Sequence, residues 1–170
     1  GLINDYEFGM TKKETSSIFE EMKPRLLDLR QRISEAKLSK PVLEGDFNTE
    51  KQLKLAHEIA ETFFYDFDRG RIDIVAHPFC SGGGDDVRIT TRVDNKDPFN
   101  CLYSTIHEVG HACYEQNVSS DFLHSPLGSG VSLGIHESQS RIFENQIGRS
   151  RQFTRWLFKK MKSYFGEFGI

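Results

Sequence analysis

The chain has few cysteines and no long apolar run. Cys80, Cys101 and Cys113 are odd in number and form no C-x-x-C pair, so they indicate neither a disulfide framework nor a thiolate zinc site. No apolar stretch approaches the roughly 20 residues that span a bilayer, and residues 1–7 lack the basic start and apolar core of a signal peptide. We therefore expect a soluble, cytoplasmic protein with no membrane partner.

Charge of one sign is not concentrated in any part of the chain. The formal net charge is -3, from 22 Lys and Arg against 25 Asp and Glu. This balance indicates neither a basic surface for phosphate groups nor a polyanionic tail, so nucleic acid is not expected as a partner. The apolar fraction of 37% is sufficient for one hydrophobic core, which predicts one globular domain.

Hydrophobic periodicity predicts a mainly helical fold with a small β-element. Helices are predicted over residues 12–36, 49–68, 98–117, 135–147 and 151–165. Thr11 and Glu14 form a capping box for the first helix, Asp97-Pro98 caps the third, and Gly70 is the stop signal of the second. Between the second and third helices the period shortens to two, and residues 72–75 and 87–92 are predicted as strands.

The segment between the two predicted strands is rich in glycine. Gly82, Gly83 and Gly84 lie within residues 77–86. The segment is a weak candidate for a nucleotide-binding loop, because no Lys-Ser/Thr pair follows it and no helix begins after it. A flexible hairpin connection is the plainer interpretation.

His107, Glu108 and His111 form an H-E-x-x-H motif in the middle of a predicted helix. Residues four apart on a helix share a face, with Cβ atoms about 5–6 Å apart, so both imidazoles can bind one Zn²⁺. Glu108 flanks that face and can act as a general base toward water. A solvated face with two chance histidines is the alternative, but Tyr103 and Tyr114 on the same stripe disfavour it.

A catalytic zinc site also needs a third protein ligand. The metzincin extension requires Gly at position 114 and His at position 117, whereas this chain has Tyr114 and Asn117, so that class is excluded. Spacing alone does not choose among the downstream candidates, which are Glu115, His124, His136, Glu137 and Glu144. A ligand on a separate helix offers better tetrahedral geometry, although Glu137 and Glu144 also have a plainer interpretation as ion-pair partners of Arg141.

Four motifs follow one another along the chain. They are His77-Pro78-Phe79, Asp86-Val87-Arg88-Ile89-Thr90, His107-Glu108-Val109-Gly110-His111 and His136-Glu137-Ser138-Gln139. This series closely resembles the H-P-F, D-x-R-x-T, H-E-x-x-H and H-E-S-Q motifs of the M32 family of metallocarboxypeptidases. The resemblance includes Tyr6-Glu7-Phe8-Gly9-Met10 near the start and covers nearly the whole chain.

The resemblance implies a ligand set and an activity. It implies that Glu137 joins His107 and His111 as the third metal ligand and that Glu108 is the general base. It also implies a mostly helical fold with a small sheet beside a deep cleft, and removal of single residues from peptide C-termini with one Zn²⁺ or Co²⁺ ion, of which Zn²⁺ is expected. Peptides are the expected substrates, and a homodimer is considered for the full-length enzyme.

Three further residues are candidates for contact with the substrate. His77 is interpreted either as a wall of the cleft or as a structural histidine before a Pro turn. Arg88 can pair with a peptide carboxylate or with Asp86. His136 can donate to the substrate or orient a metal ligand, and Glu144 is interpreted as an ion-paired residue or as the partner of a zinc-binding histidine.

The chain departs from the family in its length. Family members are roughly three times longer, beyond ordinary single-domain size, and their I/N-x-x-A/S-D and G-x-x-Q-D-x-H-W motifs are absent here. The chain also begins without Met. We therefore expect residues 1–170 to be one segment of a larger metallopeptidase catalytic domain. An endopeptidase of the same zinc-glutamate type and a metal-binding fragment without activity are the alternatives to a carboxypeptidase.

Overall fold

A computed structural model describes residues 2–37 and 43–169, which form two compact units. The first unit extends to Pro41 and the second begins at Val42. None of the helices within the described residues is both long enough and apolar enough to cross a membrane. The expectation that the chain is a segment of a larger catalytic domain stays a prediction.

The first unit contains helices α1 (Leu2–Tyr6) and α2 (Lys12–Glu35). The predicted capping box is present, because the Thr11 hydroxyl accepts from the Glu14 backbone N–H at 3.2 Å and the Glu14 carboxylate accepts from the Thr11 N–H at 2.9 Å. The helix predicted over residues 12–36 is thus confirmed. Its large apolar side chains are exposed in this structure, namely Ile18, Phe19, Met22, Leu26, Leu27, Leu29 and Ile33.

Within residues 43–169, the second unit contains four longer helices and three short helical segments. The long helices are α3 (Thr49–Thr62), α4 (Pro98–Gln116), α5 (Leu133–Arg141) and α6 (Arg151–Phe165). Single 3₁₀ turns cover Phe67–Arg69 and Ser120–Phe122, and a π-helix over Ile142–Ile147 continues α5. Asn48, Asp97, Ser132 and Ser150 each accept a backbone N–H in the first turn of a long helix.

Helix α3 ends earlier than predicted. Phe64 adopts a left-handed φ of 69°, and the Tyr65 N–H donates to the Ala60 carbonyl at 3.0 Å. The chain therefore turns before residue 68, and the stop signal assigned to Gly70 was wrong. Burial explains the turn, because Tyr65 is enclosed in the core and donates its hydroxyl to the Val87 carbonyl at 2.6 Å.

The sheet has three strands in the order β1-β3-β2. Strands β1 (Ile72–Ile74) and β3 (Asp86–Thr91) confirm the two predicted strands. They are parallel, so the hairpin connection predicted between them was wrong. The predicted loop between them contains a further strand, β2 (Cys80–Gly83), which pairs antiparallel with β3. A turn at Gly84, whose φ is +60°, closes this hairpin, so the glycine segment is partly a strand rather than a loop throughout.

The hydrophobic core lies between the sheet and helices α3, α4 and α6. Strand β3 contributes the alternating residues Val87 and Ile89, which are fully buried. Helix α4 contributes Leu102, Ile106 and Val109 at helical spacing, and these are fully buried as well. Helix α4 also packs against α3, α5 and the π-helix. The mainly helical fold with a small sheet is confirmed, and α4 is the central helix of the second unit.

Candidate metal centre

Helix α4 places the H-E-x-x-H residues at the edge of the core. One face of α4 is buried against α3 and the sheet. His107 and His111 lie on the face toward α5, and both are half-buried. Their ring centroids lie 5.0 Å apart, as expected for residues four apart on one helix. The helix that carries the motif runs over Pro98–Gln116, which confirms the predicted helix over 98–117.

A close contact between α4 and α5 brings the next motif to these histidines. A Cβ added at Gly110 would lie 2.5 Å from the Cα of Ser140, so the two backbones approach at a distance that other side chains would prevent. Ser140 is fully buried at this contact. Glu137 lies one turn earlier on α5 and faces the H-E-x-x-H residues.

Three ligand atoms converge at this point. One Glu137 carboxylate oxygen lies 3.3 Å from His111 Nε2 and 3.7 Å from His107 Nε2, and donor atoms of the three residues all lie within 4.8 Å of one another. Ligands at 2.0–2.1 Å from a tetrahedral Zn²⁺ are separated by about 3.4 Å. Two imidazoles and a carboxylate at these separations therefore fit a divalent metal ion, with a position left for water or substrate.

Glu144 holds the ring of His107 from the other side. Its Oε2 accepts from His107 Nδ1 at 3.0 Å, and its carboxylate also accepts from Arg141 at 3.2 Å and Arg149 at 3.0 Å. Arg141 donates to Glu137 as well, at 2.7 Å. The ion pairs expected between Arg141 and both glutamates are thus present, and they occur together with the contacts to the histidines.

His111 has a different partner. Its Nδ1 lies 2.5 Å from Nδ1 of His136, and Nε2 of His136 lies 2.7 Å from a carboxylate oxygen of Glu115. The side chains of His136 and Glu115 are mostly buried, with 20% and 18% exposure. Hence Glu115, His136 and Glu144 surround the two histidines without joining the cluster of three ligand atoms.

Burial changes the proton affinity of the groups at this site. Glu108 is only 8% exposed, and desolvation raises its pKa to about 7, with the nearby His107 acting against and Glu137 adding to that effect. Burial also lowers the pKa of His111 to about 4, and the neighbouring His136 and His107 act in the same direction. A neutral imidazole has a lone pair for a metal, and a carboxylate with a raised pKa can accept a proton near neutral pH.

Glu144 remains ionised despite its partial burial. Desolvation acts to raise the pKa of this carboxyl, but the hydrogen bonds from Arg149 and His107 outweigh it, so the pKa is lowered. The carboxylate therefore accepts a hydrogen bond in its contact with His107 rather than donating one.

A cleft of about 900 Å³ opens beside the candidate centre. His107, Glu108 and Glu144 line it together with Arg141 and Arg149. Apolar side chains form much of the rest of the lining, and these are Leu43, Phe99, Leu157, Phe158, Met161 and Phe168. Clefts of this size are typical of sites for small molecules and cofactors, so the volume is sufficient for a bound ligand.

Two of the predicted substrate contacts lie outside this arrangement. Arg88 donates two hydrogen bonds of 2.8 Å to Asp86 on its own strand, which is the ion pair considered as the plainer interpretation. His77 is exposed, and its neighbour Pro78 rather than His77 itself lines the cleft. A substrate role for either residue stays a prediction.

Arg149 is a residue of the site that no sequence pattern indicated. Arg149 binds Glu144, donates to Asn145 at 3.2 Å, and lies over the ring of Tyr103 at 4.3 Å. It follows the π-helix, so helical spacing from Glu144 does not reveal the contact. The link from Glu115 to His136 likewise joins residues 21 positions apart and has no local signal.

Comparisons with known proteins all point to one family. The family described as Carboxypeptidase Taq (M32) metallopeptidase matches residues 1–169. The chain is 40% identical to thermostable carboxypeptidase 1 of Thermus thermophilus and 39% identical to carboxypeptidase 1 of Bacillus subtilis. These matches cover 99% and 95% of this chain but 34% and 33% of the relatives, so the chain spans about a third of the length of the curated relatives it matches.

Solved structures give the same result. The M32 carboxypeptidase from Deinococcus radiodurans R1 has a TM-score of 0.85 and 44% identity, over 95% of this chain and 33% of that one. Metallocarboxypeptidase 1 of Trypanosoma cruzi has a TM-score of 0.81 and 38% identity, over 98% of this chain and 35% of that one.

Proposed function

The chain belongs to the M32 family of metallopeptidases, and on this premise we propose that the full-length protein is a metal-dependent carboxypeptidase. The single observation that carries the proposal is the convergence of one carboxylate oxygen and two imidazoles within 4.8 Å of one another, beside a buried glutamate on the same helix. Peptides are the substrates that we infer. We further infer that residues 1–170 are a segment of a larger catalytic domain.

In this proposal His107, His111 and Glu137 hold the metal. When bound, a divalent ion supplies Lewis-acid polarisation of the scissile carbonyl and makes water more acidic. Zn²⁺ is the ion that we infer from two nitrogen donors and one oxygen donor, and Co²⁺ suits the same donors. Glu144 and Arg141 orient the ligands, because the first receives the His107 Nδ1–H and the second holds the Glu137 carboxylate.

Glu108 is the general base of the proposed reaction. Its carboxylate lines the cleft and has a pKa raised to about 7 by burial, so it can take a proton from the attacking water. The water oxygen bonds to the carbonyl carbon, the carbon–nitrogen bond breaks, and Glu108 returns the proton to the departing nitrogen. One water is consumed, and a shortened peptide and a free amino acid are formed.

Replacement of Glu108 by glutamine tests this role in the full-length protein. We expect Glu108→Gln to retain the metal and the fold but to lower the rate on peptides by at least about 10²-fold, because an amide cannot accept the proton of water. Near-normal turnover by a correctly folded, metal-loaded variant would remove Glu108 from the general-base role.

The choice of peptide terminus tests the class of peptidase. One peptide is offered in an N-blocked form and in a C-amidated form, and the released residues are identified by mass spectrometry. Cleavage of the N-blocked form with release of its last residue, and none of the C-amidated form, is the expected result. Internal cleavage of both forms would indicate an endopeptidase instead, and cleavage of neither by the metal-loaded protein would contradict peptidase activity.

A further inference from the structure

A chain of two hydrogen bonds connects His111 to Glu115 through His136. The planes of the two imidazoles differ by 20°, and their Nδ1 atoms are much closer than their ring centroids, at 2.5 Å and 4.6 Å. The rings therefore meet at their edges, where the N–H of one imidazole points toward the lone pair of the other. The far nitrogen of His136, Nε2, faces the Glu115 carboxylate at 2.7 Å.

The carboxylate at the end of this chain determines which nitrogen carries each proton. Because an ionised Glu115 only accepts, Nε2 of His136 must carry the proton that it donates. A neutral His136 then has a bare Nδ1, which accepts the Nδ1–H of His111. The remaining nitrogen of His111, Nε2, is left with its lone pair, and this is the atom that lies 3.3 Å from Glu137.

We propose that His136, supported by Glu115, is a positioning residue that holds His111 in the tautomer and orientation needed to bind the metal through Nε2. The inference rests on the proposed metal site and adds a residue that positions a ligand without binding the metal itself. His107 receives the same kind of support from a carboxylate directly, since its Nδ1 faces Glu144 at 3.0 Å. A carboxylate thus supports His107 directly, whereas a second histidine lies between His111 and its carboxylate.

The same contacts argue against a role for His136 in binding substrate. Both of its ring nitrogens are occupied by protein partners, and its side chain is 20% exposed. A contact to substrate would require the loss of one of these two hydrogen bonds. Tyr114 packs on the other side of the ring, with centroids 4.9 Å apart, and restricts its rotation.

The test measures Zn²⁺ affinity of the full-length protein by competition with a chelator. His136→Phe retains a planar ring without either nitrogen, and we expect a loss of about 10–100-fold, the usual scale for a partner of a metal-binding histidine. His136→Asn puts an amide oxygen near the position of Nδ1, so it should recover part of that loss. Tyr114→Phe is the matched control, because its hydroxyl contacts the backbone N–H of Val131 rather than His111, and it should bind Zn²⁺ like the parent.

Thermal unfolding separates positioning from a purely structural role. A structural role lowers the Tm of the metal-free protein and leaves the rise in Tm on adding Zn²⁺ unchanged, whereas a positioning role reduces that rise. If His136→Phe does not fold, Glu115→Ala is measured in its place. This substitution removes only the far end of the hydrogen-bond chain and should weaken Zn²⁺ binding by up to about tenfold.

His111→Ala separates the two proposals. If His111→Ala loses Zn²⁺ while His136→Phe and Glu115→Ala bind it as the parent does, the inference about His136 is overturned and the metal site stands. Equal losses in His136→Phe and His136→Asn would also overturn it, since an acceptor at Nδ1 would then have no effect. If His111→Ala retains the affinity of the parent, the metal site itself is wrong.

Discussion

Glu137 and Glu144 allow a direct comparison between a proposed metal ligand and a residue proposed to orient one. Both are glutamates, about two helical turns apart, both contact His107, and both accept from Arg141, at 2.7 Å and 3.2 Å. Replacement of either one by alanine removes the same negative charge and one partner of Arg141. The two glutamates differ in the atom of His107 that they face, because Glu137 lies near Nε2 and Glu144 lies near Nδ1.

The expected loss of Zn²⁺ affinity is larger for Glu137→Ala than for Glu144→Ala. Structural zinc sites bind with about 10–16 kcal/mol, and an even share among three protein ligands is about 3–5 kcal/mol each. At about 1.4 kcal/mol per tenfold change, Glu137→Ala should weaken binding by roughly 10²–10⁴-fold. Glu144→Ala removes only the acceptor of the Nδ1–H, for which about 10–100-fold is expected.

Competition with a chelator at a single pH measures both affinities in the full-length protein. Circular dichroism and the Tm of the metal-free protein check that each variant is folded. Similar losses in the two variants would mean that charge or the contact with Arg141 explains the effect. A larger loss in Glu144→Ala, or in Glu115→Ala, would move the third ligand away from Glu137.

Two further substitutions test features of the backbone in the second unit. Gly110→Ala places a Cβ 2.5 Å from the Cα of Ser140, so we expect a loss of about 1–3 kcal/mol in unfolding free energy and weaker Zn²⁺ binding, measured by thermal unfolding and chelator competition; unchanged values would contradict the close contact. Phe64→Gly relieves a left-handed conformation at an exposed residue, where an L-residue costs roughly 1–2 kcal/mol and the added flexibility of glycine offsets about half of that cost. A modest rise in Tm is expected, and a clear fall would show that the Phe64 side chain stabilises the turn.

Local signals explain why some helix starts were predictable. The capping box at Thr11 and the Asp97-Pro98 pair act on the first turn of their own helices, so short sequence windows contain the whole interaction. The same applies to His107 and His111, whose proximity follows from the helix itself. Predictions of this kind need no knowledge of the tertiary fold.

Features that depend on tertiary contacts were less predictable. Helix α3 continues in the periodic pattern as far as Phe67, but the burial of Tyr65 ends it at Thr62. Strand β2 forms because β3 offers a partner to a glycine-rich segment, which has little strand propensity of its own. The π-helix after α5 also has no spacing signal, although the Gly148 N–H donates to the Phe143 carbonyl five residues earlier at 2.8 Å.

The third ligand was left open by spacing for the same reason. Glu137 and Glu144 lie seven residues apart and both face α4, so helical periodicity gives them equal standing. The difference between them arises from the contact of Gly110 with Ser140, which sets where α5 crosses α4. Only the family motif distinguished Glu137 at the level of sequence, through its position in His136-Glu137-Ser138-Gln139.

Each proposed ligand is held by a protein group as well as by the position of its helix. Arg141 holds Glu137, Glu144 holds His107, and His136 contacts His111. Side chains that already occupy the binding geometry lose little rotamer freedom when a metal binds, so less of the coordination energy is spent on ordering them. These partners come from α5 and the π-helix that follows it, so a change in how these elements cross α4 would alter all three ligands together. Affinity for the metal and the packing of α5 on α4 are therefore expected to change in parallel.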